Sequence, residues 1–317
     1  MDAMRIVNHV YSRAPRHGVG GAQDVPLVLV HAFPVDHHMW DECAARIAEQ
    51  AEREGLGTLT IWAPDMPGAG EGPVPDAAAS GPMADDGAYP QALDRMADAY
   101  VALLREAGYR RAVWAGLSMG GYLVLDIHRR HPDAVAGIAL CDTKADADGP
   151  EAHASRLSIA ETMEATGTRE PIMHFAAANP LRDSTVKRSH EFIARMTALI
   201  EAQDPRGVAW RERMAAGRPD LNDQLQLITV PAAVVCGDKD PSSPPAVMGP
   251  IAERMTGTTP AFTVIEDCGH FSAMEHPDEL ARPLVALMAR VRTLDAMRED
   301  GDAEDAAKDD AAKEDRA

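Results

Sequence analysis

The sequence predicts an α/β fold in which a mostly parallel central sheet carries helices on both faces. The predicted strands are apolar along nearly their whole length, as in VPLVLVHAF at residues 25–33, which indicates burial on both faces of a sheet. They alternate with helical segments, as parallel strands joined by helical crossovers do. A chain of 317 residues has room for one such domain with an insertion.

The apolar runs, and the residues that end helices, place the elements along the chain. Strands are predicted within residues 25–33, 58–65, 111–118, 135–143, 228–240 and 261–267. Helices are predicted at residues 40–54, 91–107, 119–130, 246–255 and 277–293. The stretch from residue 68 to 90 is rich in Gly, Pro, Ala and Asp, and we expect a long surface loop there.

The alternation of strands and helices stops between residues 144 and 227. This region has only helical candidates, at residues 151–166, 171–178, 185–202 and 207–216. An all-helical insertion just before the last strands of a sheet is a natural position for a lid. We therefore expect a core formed by residues 1–143 and 228–295, interrupted by a helical lid at residues 144–227.

The last part of the sequence has a different composition. Residues 295–317 carry ten acidic residues against four basic ones. Such a low-complexity acidic stretch has too little apolar surface to bury. We expect residues 296–317 to form a disordered tail, and an acidic docking segment is the less favoured interpretation.

The composition also limits the kinds of molecule that the protein is expected to bind. The formal net charge of −19 argues against nucleic acid or an anionic membrane surface. No apolar run is long enough to cross a membrane, and no secretion signal is evident near the start. The four cysteines form no CxxC pair and have no histidine at a metal-ligand spacing. We expect a cytoplasmic protein with reduced thiols and no metal site.

A nucleophile motif provides the strongest local signal. Gly116-Leu117-Ser118-Met119-Gly120 is a G-x-S-x-G sequence between the predicted strand 111–118 and the predicted helix 119–130. A nucleophilic serine must protrude at such a junction, so the backbone turns sharply, and only small residues fit two positions before and after it. The helix N-terminus also directs free N–H groups toward developing negative charge.

Two further polar segments follow apolar strands late in the chain. GDKDP follows AAVV, and DCGH follows FTVI. They place Asp238, Asp240 and His270 on the edge of the sheet that carries Ser118. A histidine there can take the serine proton, while a buried carboxylate orients the imidazole and stabilises its charged form. Position alone leaves both aspartates open as the acid.

These residues, together with two more segments, resemble the α/β-hydrolase superfamily. The additional segments are HAFP at residues 31–34 and APDMPGAG at residues 63–70, each at the end of a predicted strand. The family also uses the chain order serine, aspartate, histidine. The resemblance extends over residues 26–290 and implies the α/β-hydrolase fold.

The resemblance assigns roles to individual residues. The family's Gly-x-x-Asp pattern selects Asp240 as the acid that supports His270 beside Ser118, with Asp238 as the alternative. The backbone N–H groups of residues 33 (Phe33) and 119 (Met119) would form the oxyanion hole. No metal and no organic cofactor is implied.

The segment HAFP departs from the family pattern at one position. Ala32 stands where a glycine is usual, and a Cβ at positive φ would cost about 1 kcal/mol. His31 comes too early in the chain order to be the base. We favour a hydrogen-bonding role for His31 in this loop, with a place in the substrate pocket as the alternative.

The implied reaction is acyl transfer through a covalent acyl-enzyme on Ser118. The pattern is similar to small carboxylesterases, enol-lactonases and cofactor-free haloperoxidases, so we expect a small apolar ester or lactone as substrate. The pocket would lie between Ser118 and the lid, with Phe175, Trp210 and Phe271 as candidate lining residues. Packing among the lid helices is the more common role of such apolar side chains.

Three other functions are compatible with the same residues. A C–C hydrolase or lyase of this fold would keep the triad. A proline iminopeptidase-like enzyme would need acidic groups in the lid, for which Glu161, Glu164 and Glu191 are candidates. A ligand-binding or receptor protein of low turnover could also retain the triad.

Overall fold

Seven strands form one sheet in the computed structural model, which describes residues 4–15 and 25–314. They are β1 (Val7–Ser12), β2 (Leu27–Val30), β3 (Ile61–Asp65), β4 (Ala112–Leu117), β5 (Val135–Cys141), β6 (Ala232–Gly237) and β7 (Ala261–Ile265). Their order across the sheet is β1-β3-β2-β4-β5-β6-β7. Strands β2 to β7 are parallel to one another, and every residue of β2 to β6 is buried. The predicted parallel sheet is confirmed.

Strand β1 is the one described strand that the sequence pattern did not predict. It pairs with β3 in the antiparallel direction, with Val7 opposite Asp65 and Val10 opposite Trp62. Its residues are half-buried or exposed, and its sequence VNHVYS has neither a long apolar run nor strict alternation. Pairing with the edge of the sheet therefore determines this strand, rather than its own residues.

The helices follow the predicted alternation. They are α1 (Asp41–Arg53), α2 (Ala77–Ser80), α3 (Ala92–Glu106), α4 (Met119–Arg130), α5 (Pro150–Thr166), α6 (His190–Glu201), α7 (Pro205–Ala216), α8 (Asn222–Leu225), α9 (Pro245–Arg254), α10 (Ser272–Glu275) and α11 (Pro277–Glu314). Helix α3 packs on α4, and α1 packs on α11, which also contacts β5 and β6. These pairs cover the sheet and enclose a continuous apolar core.

Helix α11 is longer than predicted. It continues past the expected end at residue 293 to Glu314, so helical backbone extends into the segment for which we expected a disordered tail. Alanine and long charged side chains favour helix in this segment. Residues 315–317 lie outside the described residues, and the division of the chain into core, lid and tail stays a prediction.

Between β5 and β6 the chain forms helices only, α5 to α8 and a 3₁₀ helix at Glu170–Phe175. We call residues 144–227 the helical insertion. Within it, α5 packs along α7. The expected segment 171–178 is thus a short 3₁₀ turn, and α6 begins at His190, five residues after the predicted start at residue 185.

The segment from residue 68 to 90 is largely exposed, as expected of a surface loop, and contains one short helix, α2. It packs against α7 of the helical insertion. The Trp210 indole N–H donates a hydrogen bond to Ser80 Oγ at 2.8 Å, and the Arg213 guanidinium donates to the Gly87 carbonyl at 2.9 Å. The small residues of this segment let its backbone approach the helix closely.

Two smaller observations complete the fold. Within residues 4–15 and 25–314, no helix combines the length and the apolar character needed to cross a bilayer. The four cysteines are all buried and form no disulfide with one another.

Candidate active site

The nucleophile motif forms a strained turn between β4 and α4. Ser118 has φ 55° and ψ −113°, a conformation that is costly for a residue with a Cβ. A Cβ on Gly116 would lie 2.2 Å from the Gly120 carbonyl oxygen, and a Cβ on Gly120 would lie 2.3 Å from the Val30 oxygen. Both glycines are therefore required by close backbone packing, and the half-buried Ser118 side chain protrudes at the carboxyl end of β4.

Ser118, His270 and Asp240 are brought together from three strand ends. His270 Nε2 lies 2.8 Å from Ser118 Oγ, and His270 Nδ1 lies 2.8 Å from Asp240 Oδ2. Because an ionised carboxylate can only accept, Nδ1 donates to Asp240 and Nε2 accepts from the Ser118 hydroxyl. Asp238 instead accepts a hydrogen bond from the Cys268 N–H at 3.1 Å. The structure thus places Asp240, and not Asp238, against the histidine.

Asp240 and His270 stabilise each other's charged form. Asp240 is only 2% exposed. Burial opposes its ionisation, but the neighbouring His270, together with hydrogen bonds from His270, Ser243 and the Ser242 N–H, holds its pKa below the usual value. Burial likewise lowers the pKa of His270, and the charge and hydrogen bond of Asp240 outweigh this and raise it overall. The imidazole is consequently a stronger base than an isolated histidine.

The two predicted oxyanion donors lie beside Ser118. Phe33 and Met119 both line the cavity that Ser118 and His270 enter. Neither backbone N–H donates a hydrogen bond to any residue that the structure describes. Met119 is the first residue of α4, so its free N–H also has the favourable end of the helix dipole behind it. Two free amides beside a nucleophile can bind an oxyanion.

His31 fastens the loop that carries Phe33. It is fully buried, its Nδ1 donates to the Ala32 carbonyl at 2.9 Å, and its Nε2 accepts from the Met66 N–H at 2.8 Å. Burial lowers the pKa of His31 to about 4, so the ring is neutral at pH 7. Ala32 is not at positive φ, and the cost considered for its Cβ does not arise.

Asp142 is a buried carboxyl that sequence reasoning missed. It follows β5, has no exposed surface and a φ of 44°. It accepts from the Gly237 N–H at 2.9 Å and is hydrogen-bonded to Ser272. Burial and the nearby charge of Asp240 raise the pKa of Asp142 well above the usual range. The one available signal was a polar residue directly after a fully apolar strand.

A cavity of about 540 Å³ opens over Ser118 and His270. Phe175 and Phe271 line it, as expected. His31 and Trp210 are not among the lining residues, and their predicted place in the pocket is wrong: His31 lies beneath the loop, and the Trp210 indole is turned toward Ser80.

The cavity wall carries more charge than the apolar helical insertion suggested. Four basic side chains line it, Lys144, Arg156, Lys187 and Arg218. All four belong to the helical insertion beyond β5, where sequence analysis singled out only aromatic, aliphatic and acidic residues. Their separation along the chain left no local motif that could have identified them.

Metal-ligating residue types cluster away from this cavity. His9, His37 and Asp65 form one group, and Asp36 joins His37 and His38 in another. Asp65 already accepts hydrogen bonds from His9 and His37 at 2.9 Å each, and the His9 and His37 rings stack at 3.4 Å. Hydrogen bonds that join His9 of β1 and His37, just before α1, to Asp65 at the end of β3 explain this group.

Comparison with known proteins agrees with the geometry. A model of the Alpha/beta hydrolase family matches residues 27–282. The chain is 26% identical over 265 residues to a pimeloyl-[acyl-carrier protein] methyl ester esterase from Neisseria meningitidis serogroup A, covering 80% of this chain and 73% of the relative. It is 24% identical over 201 residues to 3-oxoadipate enol-lactonase 2 from Acinetobacter baylyi, covering 63% and 72% respectively.

Solved structures show the same fold. A thermophilic esterase from Thermogutta terrifontis, determined with malate bound, superposes with a TM-score of 0.73 at 28% identity, covering 91% of this chain and 94% of that one. The enol-lactonase from Burkholderia xenovorans LB400 superposes with a TM-score of 0.69 at 22% identity, covering 90% and 96%. With the family model matching most of its length, the chain belongs to the alpha/beta hydrolase family.

Proposed function

We propose that this protein is a serine hydrolase that cleaves small carboxylic esters or lactones through an acyl-enzyme on Ser118. One observation carries the proposal: an unbroken hydrogen-bonded series from Asp240 through His270 to Ser118, ending in a cavity that a small substrate can enter. Esterases and an enol-lactonase among the relatives support the same class of bond.

In the first step Ser118 Oγ attacks the carbonyl carbon of the ester. The hydroxyl proton moves to His270 Nε2, and Asp240 stabilises the imidazolium that forms. The carbonyl oxygen becomes negatively charged in the tetrahedral intermediate, where the amides of Phe33 and Met119 bind it. Collapse of the intermediate breaks the ester C–O bond, and His270 returns its proton to the departing alkoxide.

In the second step water hydrolyses the acyl-enzyme. His270 takes a proton from water as the water oxygen attacks the acyl carbon, and a second tetrahedral intermediate forms in the same oxyanion hole. When this intermediate collapses, the Ser118 oxygen leaves and receives the proton from His270. The products are the free acid and the resting enzyme. In a lactone, the alcohol and the acid remain in one molecule.

The peptidase alternative is weaker, because the acidic residues it needs lie elsewhere. Glu161 and Glu191 are exposed, and Glu164 is paired with Arg213 at 2.7 Å. None of the three lines the cavity. A group that binds a substrate amine would have to face the cavity over Ser118. The acidic residues that do so, Asp142, Asp146 and Asp148, already bond to other groups of the protein. C–C bond cleavage by the same triad is distinguished only by substrates.

A fluorophosphonate probe and a substrate panel test the proposal together. The probe should label the wild type and not Ser118→Ala, while Ser242→Ala, a serine on the same cavity wall, should retain labelling. Short-chain p-nitrophenyl esters and small lactones should be hydrolysed by the wild type and Ser242→Ala. Labelling of Ser118 without turnover of any ester or lactone would favour a binding protein, and absence of labelling would refute the nucleophile.

A further inference from the structure

The basic residues of the cavity fall into two pairs with different electrostatic surroundings. Arg156 and Arg218 share Asp148, at 2.5 and 2.6 Å, and Arg156 also pairs with Glu212 at 2.7 Å. These two arginines and two carboxylates compensate one another. They are structural ion pairs of the helical insertion, and little of their charge is available to a ligand.

The two lysines have no ion pair at such a short distance among the residues that the structure describes. Lys187 is only 9% exposed, and its Nζ lies 3.7 Å from Asp183 Oδ2, beyond hydrogen-bond distance. Lys144 has no carboxylate within 4 Å among the residues that the structure describes. The Lys187 ammonium has three N–H donors, and none of them is hydrogen-bonded to a residue that the structure describes. Its long ion pair with Asp183 therefore leaves room for a carboxylate that arrives with the ligand.

Lys187 is also held firmly next to the catalytic histidine. Its backbone N–H donates to Ser184 Oγ at 2.9 Å, and Ser184 is hydrogen-bonded to Glu275. Glu275 in turn accepts from the N–H groups on either side of His270, those of Gly269 at 2.7 Å and Phe271 at 3.1 Å. The turn that carries Lys187 is thereby fixed to the loop that carries His270.

The acidic residues on the same wall bond to groups other than the two lysines. Asp142 accepts from the Gly237 N–H and is hydrogen-bonded to Ser272, and burial raises its pKa. Asp148 is already shared by two arginines. Asp146 is exposed and accepts from Asn222 at 2.7 Å. Among the residues that the structure describes, Lys144 and Lys187 are therefore the basic groups of this wall with no carboxylate at hydrogen-bond distance, in a chain whose net charge is −19.

We propose that the cavity selects esters and lactones that carry a carboxylate away from the scissile bond, and that Lys187 binds this carboxylate. The inference rests on the proposed serine hydrolase function and specifies its substrate class. It replaces the expectation of a purely apolar substrate. The phenylalanines, Phe33, Phe175 and Phe271, would pack against the carbon chain between the two ends.

Two esters of equal length test this specificity, monomethyl adipate and methyl hexanoate. For the wild type we expect kcat/KM to be on the order of 10- to 100-fold higher for the half-ester, the usual gain from a hydrogen bond to a charged group. Lys187→Met should remove the preference mainly through KM, because the ion pair forms equally in ground and transition states. Lys187→Arg should keep much of it. Lys144→Met, on the same wall, should keep most of it.

The experiment distinguishes failure of the carboxylate inference from failure of the proposed hydrolase function. Hydrolysis of methyl hexanoate with no preference for the half-ester would overturn the inference and leave the hydrolase proposal intact. A preference lost in Lys144→Met and kept in Lys187→Met would overturn the assignment to Lys187. If neither ester were hydrolysed, binding of monomethyl adipate to Ser118→Ala, measured by calorimetry, would decide. Its Kd should rise about tenfold or more when Lys187→Met is added, and an unchanged Kd would refute carboxylate recognition.

Discussion

The nucleophile turn and helix α7 of the helical insertion solve the same packing problem with very different sequence signals. In the turn, a Cβ on Gly120 would lie 2.3 Å from the Val30 carbonyl oxygen. In α7, a Cβ on Gly207 would lie 2.0 Å from the Gly68 carbonyl oxygen. Both glycines allow a helix to touch a backbone segment that is distant in sequence. The first belongs to a recognisable motif, whereas the second stands in an ordinary helical stretch.

The comparison separates two kinds of constraint. Around Ser118, the residues that pack are also the residues that position the chemistry, so the packing requirement appears in the sequence as a motif. In the helical insertion, packing positions one wall of the cavity over Ser118. The charged residues of that wall come from separate parts of the chain. We therefore expect substitutions around Ser118 to reduce kcat. Substitutions in the helical insertion should instead alter stability and substrate binding.

The largest expected effect comes from Asp240, the acid of the proposed triad. Asp240→Asn should reduce kcat about 10⁴-fold, since an amide cannot stabilise the imidazolium and can hold the wrong tautomer of His270. Steady-state hydrolysis of a p-nitrophenyl ester measures this. Asp238→Asn is the matched control on the same loop and should stay within about threefold of the wild type. Equal losses in both variants would contradict the geometry that distinguishes the two aspartates.

A matched glycine pair tests the comparison directly. Gly120→Ala should destabilise the fold by about 1–3 kcal/mol through overpacking. It should also lower kcat about 10²-fold, because a shift of α4 displaces the Ser118 hydroxyl and the Met119 N–H. Chemical denaturation and ester hydrolysis give the two values. Loss of stability with an unaltered kcat would show that the turn tolerates the shift.

Gly207→Ala is the corresponding substitution in the helical insertion. We expect a similar loss of about 1–3 kcal/mol, because the new Cβ meets the Gly68 backbone and not a flexible side chain. Ser118, His270 and Asp240 take no part in this contact, so KM should change more than kcat. Should kcat fall as far as in Gly120→Ala, the two regions would not be separable in the way proposed.

The smallest expected effect is a shift in the pH dependence of kcat/KM. It depends on the surroundings of Ser118 and on the helical insertion together. Burial lowers the pKa of His270, Asp240 outweighs this and raises it overall, and the charge of Lys187 acts in the lowering direction. His270 must be neutral to act as base, so kcat/KM should fall as pH drops through a value above about 6.5, the ordinary histidine pKa. Lys187→Met removes a charge that lowers the pKa of His270, so this fall in kcat/KM should occur at higher pH in the variant. A fall at a pH below about 6.5 in the wild type would contradict the influence of Asp240.

Much of the fold could be read from the sequence because its constraints are local. The strands β2 to β6 are continuous apolar runs, since both faces of the sheet are covered. Helices α1 and α3 end just before Gly55 and Gly108, the residues that predicted their ends. Ser118, Asp240 and His270 were predicted because each sits where an apolar strand ends. Strand β1 escaped prediction, because an exposed edge strand needs only a partner and not a pattern of its own.

What only the tertiary structure decided is the surroundings of Ser118, His270 and Asp240. Sequence order left Asp238 and Asp240 both open, and a hydrogen bond at 2.8 Å to His270 distinguishes them. The packing of segment 68–90 beneath α7, the burial of Asp142 and the gathering of Lys144 and Lys187 on one cavity wall had no local signature. The physical reason is that burial and electrostatic environment depend on residues far apart in the chain, which only the folded protein brings within reach of one another.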